Sequence, residues 1–561
     1  MKRRRVIVVC SSLLTAFALS WLMYRALVPG GWTVAKGAMM GSFALASLWV
    51  GLCLTNGLVG MLHRRQPSDA SYRPKSRIAI ALTVRNEDMS AVLPPLRRLL
   101  DDLDATGAGD RFAVFILSDS TDAAEEPAVA AFQTSYPGRV HYRRRLENTR
   151  FKAGNVMDFL DRHAEGFETM LALDADSEMS ARAVLRLAQE MDENPHLGIV
   201  QHLTVGLPAA SALPRLFQFG MRAGMRTWAA ALAWWQGDEC CYWGHNAMVR
   251  IAPFRAHCRL PLLPNGSPIL SHDQVEAALL AGAGWGVRLL PEEDGSFEAN
   301  PPALPEFMRR ELRWLAGNLE YRHLLRMPGL LPMGRWQLVQ AILLFGCTPF
   351  YLVILVAAAV AAATDAESPF PTERVLAVML AWAVAIYAPK LLGYAQVLTS
   401  RDQRTRYGGA ARMLTGMAAE TVFTLLMDAI SVVSKTGTTV RLLLGTRAAW
   451  LPQNRSDRGV SWAEAARLLW PHTAIGAVAF AAFAHAGWRT VLWAAPLAGG
   501  LVLAIPFCVL TASPRFGAWL RRHRVAATPE ELLTADPGAQ PPAQPFGQRQ
   551  ENDRQHHGYE G

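Results

Sequence analysis

Residues 169–180, TMLALDADSEMS, carry five mostly apolar positions straight into Asp174 and Asp176, with a single alanine between the two carboxylates. A short apolar run of this kind reads as a buried strand, and in open α/β sheets ligands gather beyond the carboxyl ends of the strands. The runs RIAIALTV (77–84), RFAVFILSDS (111–120) and RVHYRR (139–144) have the same character. They alternate with helical patterns, AVLPPLRRLLDDLDA (91–105) and ARAVLRLAQEMDEN (181–194), as successive βαβ units of a parallel sheet do. Asp119, at the end of FAVFILSD, then shares one rim with Asp174 and Asp176.

Around this α/β stretch the chain changes composition. Of 561 residues, 51% are hydrophobic and only 18% charged, which directs attention to membrane spans. The N-terminus is basic and then apolar, like a secretion signal, but it runs too long and lacks a small-residue cleavage pattern. A retained span from about Val6 to Leu27 fits better, and a second covers Ala38 to Leu62. Apolar segments return at 338–363, 375–398, 413–434, 468–486 and 489–511. The segment 413–434 contains Glu420 and Asp428 and is flanked by basic loops. It reads as a re-entrant or interfacial piece, with an ordinary span holding two packed carboxylates as the alternative. Six to eight spans follow. The domain expectation is a membrane hairpin at 1–64, an α/β domain at 65–335, membrane and interfacial helices at 336–515, and a tail at 516–561 that is basic and then disordered from about Thr528. Basic flanks on the first hairpin, the acidic link TDAESPFPTE (364–373) and the basic link SRDQRTRYGGAAR (400–412) place the α/β domain in the cytoplasm. The net charge of +9 is then a loop-orientation signal, not a nucleic-acid footprint. The seven cysteines have neither zinc nor disulfide-framework spacing and read as reduced packing residues.

Asp-x-Asp at a strand end has three readings. A calcium loop of the EF-hand type fails, because its sixth position would be Met179, not glycine. A pair of solvated loop carboxylates stays open. So does a hard divalent cation held by one carboxylate, water and a substrate diphosphate. Near it fall Asn86 and Glu87 (RNED, 85–88) after the first strand, and Lys152 with a Gly-Asn turn ending at Asn155 (RFKAGN, 150–155), suited to close approach to a base or phosphate. Asp119 can equally cap its loop, and Lys152 can be solvated. ILSHDQVEAAL (269–279) admits a local account in which Ser271 caps a helix and Gln274 completes a capping box. In the functional account Asp273 is a general base. RRELRWLAGN (309–318) puts Arg310 and Arg313 on one helix face beside Trp314, as either a site helix or a membrane-interface helix with an aromatic anchor.

In order, Asp119, Asp174-Ala-Asp176, Asp273 and Arg310-x-x-Arg313-Trp314 resemble the D, DxD, D, (Q/R)xxRW pattern of processive family 2 glycosyltransferases, the cellulose and hyaluronan synthase superfamily. The strings FILSDS, YRRR, GNVMDF, LDADSEM, YWGHNAMVR, ILSHDQVEAAL, AGWGV and RRELRWLAGNL are similar to one branch, the glucans biosynthesis glucosyltransferase H family. The resemblance covers roughly residues 75–330 strongly and the later spans more loosely. Familiar members carry longer terminal extensions, and Arg85 stands where another residue commonly precedes Asn-Glu. The resemblance implies a GT-A-type nucleotide-sugar transferase domain set in a polytopic helical membrane domain of the bacterial inner membrane. It would move glucose from UDP-glucose, with inversion, onto a growing β-glucan of osmoregulated periplasmic glucans and export the polymer. It further implies Asp273 as catalytic base. Asn86, Glu87, Asp119, Lys152, Asn155, Asp174, Asp176, Arg310 and Arg313 would bind the nucleotide sugar. Mg²⁺ or Mn²⁺ would sit on Asp176 and Asp174, and Trp314, Tyr242, Trp243, His245 and Asn246 would hold the acceptor. Partners by resemblance are the acceptor glucan, membrane lipids, acyl carrier protein and periplasmic glucan-processing proteins, with no nucleic acid. A cellulose-like synthase or a lipid glycosyltransferase of the same superfamily is the alternative.

Overall fold

The computed structural model describes residues 1–29, 31–63, 72–364, 372–446 and 457–534. Its α/β unit is built on a seven-stranded sheet of β1 (Ile78–Val84), β2 (Phe112–Ser118), β3 (Val140–Arg144), β4 (Thr169–Asp174), β6 (Leu197–His202), β8 (Ala247–Arg250) and β9 (Gly286–Leu290), in the order β3-β2-β1-β4-β8-β6-β9. β5 (Ser177–Met179), β7 (Val205–Gly206) and β10 (Ser296–Glu298) form a small second sheet, order β5-β10-β7. β1 is buried at every position but Thr83, as expected for a central strand covered on both faces. Helix Met89–Ala105 lies over it. Asp88 caps that helix by accepting from the Ser90 amide at 2.9 Å, and Leu96, Leu99, Leu100 and Leu103 form its buried stripe.

The sheet is not wholly parallel. β8 runs antiparallel to both β4 and β6, inserted between them. Its four residues lie between the YWGHN turn, which follows helix Ala212–Gln236, and a helix starting at Ile251.

Five helices are long and apolar enough to cross a membrane: Lys2–Leu27, Val34–Leu62, Pro332–Thr364, Ala410–Leu443 and Trp462–His485. A sixth candidate is the pair Glu373–Ile386 and Ala388–Thr399, bent by 64° at the break on Tyr387, with Pro389 in the first turn of the second helix. Lys2–Leu27 buries Val8, Ser12, Ala16, Leu19 and Met23 along one stripe and exposes Leu13, Leu14 and Phe17, a face suited to lipid. Among the described residues this gives five spans, or six with the bent pair, the low end of the sequence expectation. The 489–511 segment is not one regular helix: a π-helical stretch, Ala495–Gly499, which contains Pro496, and a break at Leu503, three residues before Pro506, divide it into Trp488–Ala494, Ala495–Gly499, Gly500–Val502 and Ala504–Thr511. Residues 413–434 are no re-entrant loop: they form the middle of the 34-residue helix Ala410–Leu443. Glu420 is buried there, accepting from Lys390 Nζ and the Tyr394 hydroxyl, both at 2.6 Å, and Asp428 accepts from the Tyr387 hydroxyl at 2.8 Å, so each carboxylate has a neighbour-helix partner. Most of the acidic 364–373 link and the junction at residue 64 lie outside the described residues.

The α/β and membrane units meet on Ala212–Gln236, an amphipathic helix the sequence reading did not single out. Gly60 and Gly393 lie against its backbone: a Cβ on Gly60 would stand 1.8 Å from the Thr227 carbonyl oxygen, and one on Gly393 1.9 Å from that of Ala223. The same helix buries Arg215 and Arg222. Arg215 forks onto Glu531 (2.7 and 3.0 Å), and Arg222 onto Glu530 (2.6 and 2.7 Å) while reaching Glu293 at 2.9 Å. The first part of the tail is therefore ordered, contrary to expectation: Pro529–Thr534 is a docked helix held by these pairs. Residues 535–561 lie outside the described residues. All seven cysteines are free, and all but Cys10 are buried.

Candidate active site

β4 ends on Asp174, opposite Thr83 at the end of β1. The Thr83 hydroxyl donates to Asp174 Oδ1 at 3.1 Å, and the Asp174 amide donates to Ser177 Oγ at 3.1 Å, which starts the turn carrying Asp176. Lys152 Nζ donates to Asp174 Oδ1 and, at 2.8 Å, to the Gly244 carbonyl. Lys152 comes from a helix: Phe151–Arg162 includes Gly154 and Asn155, so the anticipated Gly-Asn turn does not exist. The irregular backbone sits just before it, with Arg150 and Phe151 at φ 60° and 53°. Asn155 is buried and donates to the Leu117 carbonyl at 2.9 Å, a brace between helix and β2.

At the neighbouring strand end, the buried Asp119 accepts a fork from Arg145, Nε at 2.7 Å and Nη2 at 2.6 Å. Its carbonyl accepts from Asn148 Nδ2 at 2.7 Å. Asn86, at φ 54°, accepts from the Thr121 amide at 2.9 Å, and its own amide donates to Ser120 Oγ at 2.8 Å. Glu87 follows, half-buried. Asn86 and Arg145 thus fix the loop beside Asp119. Nothing local in the sequence marked Arg145 as the partner of Asp119.

Asp273 is the first residue of helix Asp273–Gly282. The capping box is absent: His272 is the N-cap residue, without a side-chain cap, and its Nδ1 contacts Glu276 at 2.9 Å. Ser271 packs instead on Gly317, where a Cβ would fall 2.1 Å from its hydroxyl. Glu320 accepts from the Leu270 amide at 2.9 Å, so helix Leu304–Glu320 clamps the approach to Asp273. Burial raises the Asp273 carboxyl above the ordinary range, nearby Glu276 adds to it, and His272 opposes. Gly244 sits at φ 89°, which favours a glycine, and its Cβ position is in van der Waals reach of Asp273, 3.4 Å from Cβ and 3.7 Å from Oδ2. Lys152 therefore joins two centres, bonding Asp174 on one side and the carbonyl of the residue facing Asp273 on the other.

The rest of YWGHN spans the two sheets, Trp243 on β6 and His245 and Asn246 on β10. Trp243 donates its amide to Gln201 Oε1 at 2.6 Å, and the buried Asn246 donates to Ser296 Oγ (3.0 Å) and the Phe297 carbonyl (3.1 Å). Tyr242 is buried; burial raises its hydroxyl well above the usual value, and Glu276, Asp174 and Asp273 push the same way, so three carboxylates converge on it. His245 Nε2 stands 3.2 Å from Glu298 and Nδ1 3.9 Å from Asp174. Burial works against its charge, yet Glu298 and Asp174 lift the imidazole to about 9. Arg310 is buried under Trp314, 4.7 Å from the ring centroid, and lies in electrostatic reach of Glu298. Trp314 is exposed and Arg313 half-buried, so the two arginines three apart do not share one environment.

Among the described residues no three His, Cys, Asp or Glu side chains form a ready cage for a metal. One carboxylate on the rim, Asp176, half-buried at a turn beside Asp174, nevertheless suits a hard cation that takes its other oxygens from diphosphate and water. Asp174 beside it is engaged by Lys152 and Thr83.

Two family profiles match: Glycosyl transferase family 2 over residues 79–257, and Glycosyl transferase family group 2 over residues 170–390. The chain is 34% identical to the glucans biosynthesis glucosyltransferase H of Rhodopseudomonas palustris (strain TIE-1), over 96% of this chain and 78% of that protein. It is 34% identical to the protein of that name from Caulobacter vibrioides (strain NA1000 / CB15N), over 87% and 78%, and 32% identical to that of Vibrio cholerae (serotype O1, strain O395), over 95% and 78%. A mannosyltransferase from Pyrobaculum calidifontis, solved with GDP-Man and Mn²⁺, superposes with a TM-score of 0.44 at 17% identity, covering 65% of this chain and 99% of that one.

Proposed function

The chain belongs to the glucans biosynthesis glucosyltransferase H family, and on that premise we propose that it takes glucose from UDP-glucose and adds it, with inversion, to a growing β-glucan at the cytoplasmic face of the inner membrane. The observation that carries the reading is the Lys152 bridge, which holds Asp174 and the Gly244 turn facing Asp273 in one fixed relation.

Asp119, held by Arg145, and the Asn86 turn bind the nucleotide end. A divalent cation on Asp176, with Asp174 beside it, supplies charge neutralisation to the departing diphosphate when bound. Asp273 takes the proton of the acceptor hydroxyl, whose oxygen attacks the anomeric carbon from the side opposite the diphosphate. The C–O bond to UDP breaks, UDP leaves with the electron pair, and the α-linked donor becomes a β-linkage. A carboxyl raised by burial is the better base for this step, since its proton affinity lies nearer the working pH. Trp314 offers an exposed ring for an acceptor sugar, and Tyr242, Trp243, His245 and Asn246 shape that end. Arg313 assists at the diphosphate. The membrane helices adjoining Ala212–Gln236 provide the export route. Protein reconstituted in bilayers and given labelled UDP-glucose yields a polymeric β-glucan; a single-sugar lipid product, or no transfer from UDP-glucose with Mg²⁺ or Mn²⁺ supplied, overturns the reading.

A further inference from the structure

Behind the nucleotide rim, on the outer face of helix Phe151–Arg162, lies a cleft of about 920 Å³ between the 143–150 segment and the 258–269 loop. Arg143, Arg144, Arg145, Arg150, Arg162 and Arg259 line it. Its own carboxylates are three, Glu147, Asp158 and Asp161, so guanidinium groups outnumber carboxylates in the lining. Part of the charge is locally matched: Arg162 and Arg143 share Asp158, at 3.2 and 3.3 Å, and Arg259 takes Asp161 at 2.7 Å. The rest is not. Arg143 Nε and Nη1 are buried with no hydrogen-bond partner, although buried guanidinium donors are normally satisfied. Burial lowers the Arg143 pKa, and Arg145 and Arg162 add to that against the pull of Asp158. Arg150 reaches only a carbonyl, Leu260 O at 3.0 Å, and pairs with no carboxylate among the described residues. Helix Phe151–Arg162 also starts there without a side-chain cap, which leaves the positive end of its dipole at the cleft.

We propose that this cleft is a binding site for a small oligophosphate anion, separate from the donor site and coupled to it through Arg145. Several guanidinium forks around a concavity match several phosphate oxygens, whereas the donor rim a few residues away is dominated by carboxylates. The coupling rests on the reading of Asp119 as a donor-site residue. Arg145 lines the cleft while its fork holds Asp119, so an anion that draws on Arg145 alters the carboxylate facing the nucleotide.

The test is calorimetric titration of the detergent-solubilised full chain with inorganic tripolyphosphate and, separately, with ATP, each with and without saturating UDP. The site predicts tripolyphosphate binding that survives UDP saturation. Binding falls at least tenfold in Arg162→Glu/Arg259→Glu, whose side chains are 73% and 56% exposed and so tolerate replacement, while UDP affinity measured without tripolyphosphate stays unchanged. Arg162→Ala/Arg259→Ala, with an unshifted melting temperature, must weaken binding in the same direction. Tighter binding of ATP than of tripolyphosphate assigns the site to a nucleoside polyphosphate, and equal binding assigns it to the phosphate chain alone. Full displacement by UDP, or wild-type affinity in both double variants, overturns the proposal. Failure of UDP to bind in the absence of tripolyphosphate instead removes the donor reading and leaves the cleft result standing.

Discussion

Glu298→Gln isolates the electrostatics that hold the YWGHN turn. Glutamine keeps the shape and the backbone pairing of β10, where the Glu298 carbonyl accepts from the Leu207 amide at 2.9 Å, but removes the charge 3.2 Å from His245 Nε2. His245 titrates near 6.5 when unfolded and about 9 when folded. That difference corresponds to about 3 kcal/mol, at 1.36 kcal/mol per unit, supplied jointly by Glu298 and Asp174 against the cost of burial. Because the folded value is raised, the stabilisation is complete below pH 6.5 and is lost as the pH climbs through about 9. The wild-type melting temperature should therefore fall between pH 6.5 and 10 by several degrees, at roughly 2–4 °C per kcal/mol for a domain of ~200 residues. In Glu298→Gln the protein melts lower at pH 6.5, and the fall with pH is much reduced. The measurement is a melting series from pH 6 to 10 on purified protein. An unchanged slope in the variant would refute the assignment of His245 as an imidazolium held by Glu298.

Arg222→Ala removes the fork on the Glu530 carboxylate, while Glu293 keeps Arg226 at 2.9 Å, and should cost about 3–5 kcal/mol; a melting temperature equal to wild type would mean that the docked Pro529–Thr534 helix contributes nothing to the join. Chelation should abolish glucosyl transfer, with Mg²⁺ or Mn²⁺ restoring it, and the sugar-transfer assay with EDTA checks this. Full activity in chelator removes the role given to Asp176.

The strand ends were legible because a buried strand is a continuous apolar run, so a carboxylate such as Asp119 or Asp174 that interrupts it marks the rim. The partners were not. Arg145 meets Asp119 across a strand and a loop, and Glu298 reaches His245 from another sheet, pairings that no local spacing encodes. Asn155 looked like a turn residue because Gly-Asn favours turns, but the irregular backbone falls on Arg150 and Phe151, and Asn155 sits inside the helix with its side chain bonded to the Leu117 carbonyl. The reversed direction of β8 was hidden in four residues that any strand orientation could use. The irregular stretch within 489–511 falls beside Pro496 and Pro506, and hydropathy alone passed over it. The two carboxylates of Ala410–Leu443 suggested a polar excursion because their partners, Lys390, Tyr394 and Tyr387, lie on a different helix.

Asp273, distinct from the DxD pair, is the proposed base. The most direct measurement is Asp273→Asn assayed two ways on the same preparation, UDP binding by calorimetry and transfer from labelled UDP-glucose. Loss of transfer by at least a hundredfold, with UDP affinity within about twofold of wild type, is the result predicted for removal of a general base. Near-normal turnover with binding intact would contradict it and return the base to another carboxylate on the rim.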